Sequence, residues 1–213
     1  MVKLSVTSKL DGIKSWSLPA GSTCPGARNA SVCTGCYAKS GNYRYPNVKA
    51  PREFNMQDWK REDWVDDMVQ ALQNERFFRW FDSGDMYKRE LIDKISEVCR
   101  RTNWVTHWVP TQSWDIVALR GSLEVLEALP NVTVRASAKH VDHPVLSEQW
   151  ANSSVVLSSP EKADQLGVTV CKAYANDGKC GSCRACYDKS VKTIGYVAHG
   201  VSMKKHIRLA VAV

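Results

Sequence analysis

The middle of the chain alternates between segments with helical periodicity and short apolar runs. Apolar side chains recur every three or four positions over residues 62–74, and residues 87–101 repeat the pattern. A third segment, 115–129, predicts one or two short helices that break near Gly121. These three segments have the length and spacing of helices that bury one face.

Short runs of β-branched and aromatic residues separate the helical segments. They predict strands at 77–81, 104–109, 132–136 and 154–157. Strands that alternate with helices require right-handed crossovers, and such connections favour a mainly parallel sheet with the helices outside it. The sequence therefore predicts an α/β fold, with an α/β core over about residues 60–160.

The composition is typical of one globular domain. The chain has 213 residues, of which 44% are hydrophobic and 24% are charged, and this balance excludes a disordered or fibrous protein. No apolar stretch approaches the roughly 20 residues that cross a bilayer. The first residues also lack the apolar block of a secretory signal. We therefore expect a single domain, 1–213, in the cytoplasm and without a membrane partner.

The charge adds one permitted partner. Lys and Arg number 29 against 22 Asp and Glu, which gives a net charge of +7. The basic residues are spread along the chain, and the densest run is 204–208. This pattern permits nucleic-acid binding but does not demand it.

Seven of the eight cysteines form two groups near the two ends of the chain. Disulfides rarely persist in a reducing cytoplasm, where clustered cysteines usually bind metal or carry out chemistry. The groups lie in an N-terminal loop, 22–41, and a C-terminal loop, 170–190. Cys99 stands alone on the inner side of a predicted helix, as a core residue would. The predicted metal ligands are Cys24, Cys33, Cys36, Cys171, Cys180, Cys183 and Cys186.

The number of thiolates in each loop bears on the metal. Thiolate ligands select zinc or iron–sulfur clusters. The C-terminal loop has four cysteines, enough for either, whereas the N-terminal loop has three and no His within fifteen residues of Cys36. Structural zinc sites are closed, but a four-iron cluster held by three cysteines leaves one iron free for a small molecule. The count favours 4Fe–4S clusters with zinc as the alternative, and we expect two clusters where one shared cluster is also compatible with the spacing.

Polar residues gather directly after the predicted strands. They occupy residues 82–85, 111–113, 137–140 and 158–160. In parallel α/β folds, ligands bind at the carboxyl ends of the strands. Each cluster taken singly is also compatible with an ordinary turn or helix cap, but four in succession predict a ligand site.

These motifs resemble the phage family called gene product 88, a relative of the radical S-adenosylmethionine (SAM) superfamily. The resemblance covers most of the chain and implies a partial (β/α) barrel of radical-SAM-like type with a 4Fe–4S cluster at its mouth. The first cysteine gap is eight residues, where the superfamily has three. The motifs that carry the resemblance are Cys24-Pro25-Gly26-Ala27, Cys33-x2-Cys36-Tyr37-Ala38, the 81–85 turn, the 109–113 strand end and Cys180-x2-Cys183-x2-Cys186.

The resemblance also implies a mechanism. The open iron would chelate the amino and carboxylate groups of SAM, and an electron from the cluster would cleave the sulfonium to release a 5'-deoxyadenosyl radical. The turn of Ser83, Gly84 and Asp85 would bind the SAM ammonium, and an N-cap role for Asp85 is the alternative. The rest of the ligand would be faced by Gln112, Ser113 and Ser137.

Three functions follow from these observations. The leading one is an iron–sulfur protein of radical-SAM-like architecture, either an enzyme or a catalytically reduced relative, which needs an electron donor that the sequence does not identify. The first alternative is an electron-transfer or structural iron–sulfur protein without SAM chemistry. The second is a zinc-stabilised phage protein that binds nucleic acid.

Overall fold

One eight-stranded sheet organises the chain in the computed structural model, which describes residues 1–211. The strands are β1 (Ser5–Val6), β2 (Lys14–Trp16), β3 (Phe77–Trp80), β4 (Thr106–Thr111), β5 (Val132–Ser137), β6 (Ser153–Leu157), β7 (Thr169–Val170) and β8 (Thr193–Val197). The helices are α1 (Pro46–Asp58), α2 (Trp64–Ala71), α3 (Arg89–Arg101), α4 (Val117–Glu127), α5 (Lys162–Leu166) and α6 (Val201–Val211).

The sheet is mostly parallel and open. Its strand order is β1-β2-β3-β4-β5-β6-β8-β7, and only β1 runs antiparallel to its neighbour. The predicted α/β class is therefore confirmed. The strands do not close on themselves, since β1 and β7 lie at the two edges of the sheet.

The two faces of the sheet differ in polarity because side chains alternate along each strand. Phe78 and Trp80 of β3 pack with the apolar residues of α2, α3 and α4 in the main core. Arg79, between them, belongs to the opposite face, as do Trp108 of β4 and Arg135 of β5. The helices thus cover an apolar face, and the polar face is left for the cysteine loops.

The helices that the sequence predicted are present, with one difference. The helices α2 and α3 lie within the predicted segments, but α4 runs unbroken through Gly121, so the predicted break is wrong. A glycine in a helix costs only about 1 kcal/mol relative to alanine, and the buried residues Leu119, Leu123 and Leu126 hold the helix against the core. Within residues 1–211, no helix is both long and apolar enough to cross a membrane.

His107 of β4 is a buried histidine whose hydrogen bonds are all satisfied inside the core. The indole N–H of Trp80 donates to its Nδ1 at 3.2 Å, so the neutral ring carries its proton on Nε2. That N–H donates to Thr102 Oγ1 at 3.0 Å, and the Thr102 hydroxyl donates to the carbonyl of Val98 at 2.7 Å. Burial lowers the pKa of His107 to about 3.

This burial predicts that mild acid destabilises the fold. A histidine in the unfolded chain titrates near pH 6.5, so below that pH the unfolded chain binds a proton that the folded chain does not bind. The unfolding free energy therefore falls. Between pH 7.5 and 5 the loss from His107 should be about 2 kcal/mol. Urea unfolding of the wild type and of His107→Asn at pH 7.5 and at pH 5 measures this loss. It is the difference between the two proteins in how far the unfolding free energy falls between these pH values. Equal pH dependence in the two proteins would contradict this assignment.

Candidate metal and ligand site

A cavity of about 500 Å³ lies at the carboxyl ends of the parallel strands. Residues that follow β3, β4, β5 and β8 line it, among them Ser83, Gln112, Ala138 and His199. Six of the seven clustered cysteines line the same cavity: Cys24, Cys33 and Cys36 from the N-terminal loop, and Cys171, Cys180 and Cys186 from the C-terminal loop. The fold thus brings both cysteine loops to the carboxyl ends of the parallel strands, where the polar turns also lie.

The N-terminal loop packs directly on the backbone that follows β4. A Cβ atom at Gly26 would lie 1.9 Å from the carbonyl oxygen of Gln112 and 2.9 Å from the amide nitrogen of Ser113. Both neighbours are backbone atoms, which cannot move aside as a flexible side chain could. Only glycine therefore allows the loop to approach the strand end this closely.

Lys139, two residues after β5, also holds the N-terminal loop against the backbone that follows β4. Its ammonium donates to the carbonyl oxygens of Gly26 at 3.1 Å and Gln112 at 2.6 Å, and to the Asp115 carboxylate at 2.9 Å. Its own carbonyl accepts from the amide of Val32 at 3.2 Å. One lysine thus joins the N-terminal loop to the ends of two neighbouring strands.

The C-terminal loop is held by Arg135, which is fully buried on β5. Its guanidinium donates to the carbonyls of Ala185 at 2.8 Å, Cys186 at 2.9 Å, Asp188 at 2.9 Å and Val191 at 2.9 Å. No carboxylate forms a salt bridge with Arg135 in the part of the chain that the structure describes. Its charge is therefore stabilised by backbone dipoles of the loop that it holds.

Burial keeps the thiols of Cys24 and Cys33 neutral when no metal is bound. Burial raises the pKa of Cys24 to about 11, and the nearby Asp85, Cys36 and Cys33 act in the same direction, whereas the Gly21 amide, which donates to the sulfur at 3.4 Å, acts against them. Burial likewise raises the pKa of Cys33 to about 11, with Cys36 the next cause. Metal binding at these thiols would have to displace protons.

The C-terminal thiols form a separate group. Burial raises the pKa of Cys186 to about 11, with Cys171 and Cys180 adding to it, and its sulfur lies 3.2 Å from the Tyr196 hydroxyl. Cys180 in turn has Cys171 and Cys183 as neighbours. Cys183 is exposed and is the one clustered cysteine outside the cavity lining. The cysteines that perturb one another's pKa belong to the same loop in each case.

Among residues 1–211, no group of three or more Cys, His, Asp or Glu is arranged to hold a metal ion. Whether the seven clustered cysteines bind a metal, and which one, stays a prediction.

Asp85 ties the end of β3 to the end of β4. Its buried carboxylate accepts from the Thr111 hydroxyl, the Gln112 amide and the Met86 amide, each at 2.7 Å. Burial raises its pKa to about 6 against the effect of these hydrogen bonds. The N-cap alternative is wrong, because the N-cap of α3 is Lys88 and no side chain caps it.

Ser83 and Gly84 are fixed by the chain that follows β2. The Ser83 hydroxyl donates to the Leu18 carbonyl at 2.8 Å and accepts from Arg52 Nε at 2.6 Å. Gly84 has a φ of +75°, and a Cβ there would lie 2.5 Å from the Cβ of Leu18. This turn is therefore rigid before any ligand arrives.

Of the six residues predicted to face a ligand, five line the cavity. They are Ser83, Gly84, Asp85, Gln112 and Ser137, whereas Ser113 lies under the Gly26 contact and outside the lining. Whether they bind SAM stays a prediction.

Four residues of the lining carry buried polar atoms that have no hydrogen-bond partner in the described chain. Buried polar groups are almost always paired, so these four atoms are free to contact a polar ligand in the cavity. The atoms are Thr7 Oγ1, Arg79 Nε, Trp108 Nε1 and Gln112 Oε1. Sequence reasoning named only Gln112. An arginine inside the apolar run of β3 was the signal that could have revealed Arg79.

Asp82 organises the wall of the cavity beside β3. Its carboxylate accepts from Arg79 Nη1 at 3.0 Å, from Arg52 Nη2 at 3.2 Å and from the Tyr43 hydroxyl. The guanidinium of Arg79 also lies over the ring of Trp108, 4.7 Å from its centroid. This network joins β3 to α1 and to the turn before α1 that contains Tyr43.

A family model described as Gene product 88 matches residues 3–205 of the chain. The match includes both cysteine loops and all eight strands of the described sheet. It fits the phage origin that the motifs implied. No curated protein and no solved structure matches the chain.

The contact at Gly26 predicts a large difference between two glycine-to-alanine substitutions. Gly26→Ala should displace the N-terminal loop, because its methyl group would collide with the Gln112 backbone. Gly121→Ala has no atom within 4 Å of the new methyl group and should stabilise α4 by about 0.5–1 kcal/mol. Amide hydrogen exchange should rise over residues 22–41 in the first variant and stay unchanged in the second. Equal protection of the loop in both variants would contradict the contact.

Proposed function

Since the chain belongs to the gene product 88 family, we propose that it is an iron–sulfur protein whose N-terminal loop holds a 4Fe–4S cluster at the mouth of a ligand cavity. The observation that carries the proposal is the convergence of six cysteines from two distant loops on one cavity. Helices on one face of the sheet and cysteine loops on the other support a partial-barrel architecture of radical-SAM-like type.

Three thiolates suit a cluster that must also accept a ligand. Cys24, Cys33 and Cys36 would hold three irons, and the fourth would be left for a molecule in the cavity. No histidine lies in the N-terminal loop to complete the set. The C-terminal loop supplies four thiolates, from Cys171, Cys180, Cys183 and Cys186, which suffice for a second, closed cluster.

The cavity offers contacts for a polar, zwitterionic ligand such as SAM. A reduced cluster with an open iron supplies the electron that cleaves SAM in the superfamily that the motifs resemble. Gln112 Oε1 has no donor and suits the ammonium of the ligand. Arg79 Nε and Trp108 Nε1 have no acceptor and suit its carboxylate or hydroxyl oxygens. The Asp85 carboxylate accepts hydrogen bonds from the Met86 amide, the Thr111 hydroxyl and the Gln112 amide, and the last of these helps to position Gln112.

A second candidate is an electron-transfer or structural iron–sulfur protein without SAM chemistry. The four cysteines of the C-terminal loop favour it, since a closed cluster has no open iron and can only pass electrons or support the fold. The zinc alternative needs a closed set of four ligands, and the C-terminal loop supplies four thiolates whereas the N-terminal loop supplies three.

The two loops should lose iron independently. Anaerobically purified Cys33→Ser/Cys36→Ser and Cys183→Ser/Cys186→Ser should each keep about half of the wild-type iron, because each retains one complete set of thiolates. Cys99→Ser is the matched control, since Cys99 is buried in the apolar core away from both loops, and its iron content should equal that of the wild type. Loss of all iron in either double variant would indicate one shared cluster. Iron loss in Cys99→Ser equal to that in the double variants would overturn the ligand assignment.

SAM should perturb the electron paramagnetic resonance spectrum of the reduced protein. Gln112→Ala removes the proposed acceptor for the ammonium and should weaken SAM binding at least about tenfold, the effect of one hydrogen bond to a charged group. Gln73→Ala, the same substitution at an exposed site, is the control. If adding SAM leaves the spectrum of protein with intact clusters unchanged, the electron-transfer or structural candidate replaces the leading one.

A further inference from the structure

A second cavity, of about 300 Å³, opens beside the first. The two share a wall to which Lys39, Tyr43 and Ser83 contribute. The smaller cavity is bounded by the end of the N-terminal loop, by the turn before α1 and by α1 itself. It contains no cysteine, so its chemistry differs from that of the larger cavity.

The smaller cavity is strongly basic. Lys39, Arg44, Lys49 and Arg52 line it with one acid, Glu53, and Arg52 is paired with Asp82, so four positive charges against two negative charges leave +2. The side chains of the first three have no ion-pair or hydrogen-bond partner in the part of the chain that the structure describes. Like charges that converge without a counterion repel one another, and a bound anion would relieve that repulsion.

Arg52 is the buried cation of this cavity's wall. It is only 8% exposed, and its guanidinium donates to Ser83 Oγ at 2.6 Å, the Val48 carbonyl at 2.6 Å and Asp82 Oδ2 at 3.2 Å. An arginine has five N–H donors, so two remain without an acceptor among the described residues. Its guanidinium also stacks on the ring of Tyr43, 5.0 Å from the centroid. A buried, oriented cation with spare donors is a built part of a binding site.

We propose that this smaller cavity binds the phosphate group of a small-molecule ligand. A phosphate carries about −1.5 to −2 charge and three acceptor oxygens, which suits three free cations and the spare donors of Arg52 better than a single carboxylate does. The volume is that of a small-molecule pocket. Glu53 is exposed, as are Lys39, Arg44 and Lys49, whereas Arg52 is buried.

The shared wall indicates where the rest of the ligand lies. A molecule whose phosphate contacts Lys39 and Lys49 can extend past Tyr43 into the larger cavity between the cysteine loops. The ligand would thus be a phosphate ester that reaches the cluster cavity as substrate. This last step rests on the proposed function, whereas the phosphate site itself does not.

Isothermal titration of the anaerobically purified full chain with ribose 5-phosphate, and with ribose as the phosphate-free control, tests the site. We expect saturable binding of one ribose 5-phosphate per chain and none of ribose. Lys39→Ala/Lys49→Ala should weaken binding at least about tenfold, the effect of losing charged hydrogen bonds. Lys60→Ala/Arg120→Ala removes the same charge from exposed sites elsewhere and should leave the affinity within about twofold.

Three outcomes would overturn the phosphate site: no saturable binding, equal weakening in the two double variants, or equal binding of ribose. A single-stranded oligonucleotide that binds through Lys39 and Lys49 and resists displacement by ribose 5-phosphate would assign the cations to nucleic acid instead. Iron analysis of the same samples is a separate readout, so failure of the iron–sulfur proposal is distinguishable from failure of this one.

Discussion

Two cations, one inside β5 and one just after it, hold both cysteine loops in place. Arg135, inside β5, donates to four carbonyls around the C-terminal loop, and Lys139, just after β5, donates to the carbonyls that join the N-terminal loop to β4. The loops contain only short 3-10 turns, so their carbonyls need partners from elsewhere. Replacing either cation with an apolar residue would leave several buried carbonyls unpaired, at about 1–3 kcal/mol each.

This arrangement explains why the cavity lies on the polar face of the sheet. The helices bury the apolar face, so Arg79, Trp108 and Arg135 on the opposite face can contact the cysteine loops, the turns after the strands and the cavity. Arg135 donates to carbonyls of the C-terminal loop and of the residues that follow it, whereas Arg79 Nε and Trp108 Nε1 remain unpaired at the cavity. The unpaired atoms lie where the proposed ligand would bind.

The sequence predicted those features that depend on local pattern. The periodicity of 62–74 and 87–101 gave α2 and α3, and the cysteine spacing gave the two loops. It did not predict α1, whose apolar pattern is weak and which contains Pro51, nor the short strands β1, β2, β7 and β8. The sequence also did not predict the contacts that hold the cysteine loops. Arg135 and Ala185 are 50 residues apart in the chain, and Gly26 and Lys139 are 113 apart. Contacts of that kind become visible only when the fold brings them together.

The central claim is that the two cysteine loops each hold a four-iron cluster around one cavity. Anaerobic analysis of iron, acid-labile sulfide and zinc in the full chain tests it most directly. The account predicts about eight iron and about eight sulfide per chain, with zinc near zero, because two clusters of four irons require that number. Stoichiometric zinc without iron or sulfide, in protein never exposed to oxygen, would contradict it.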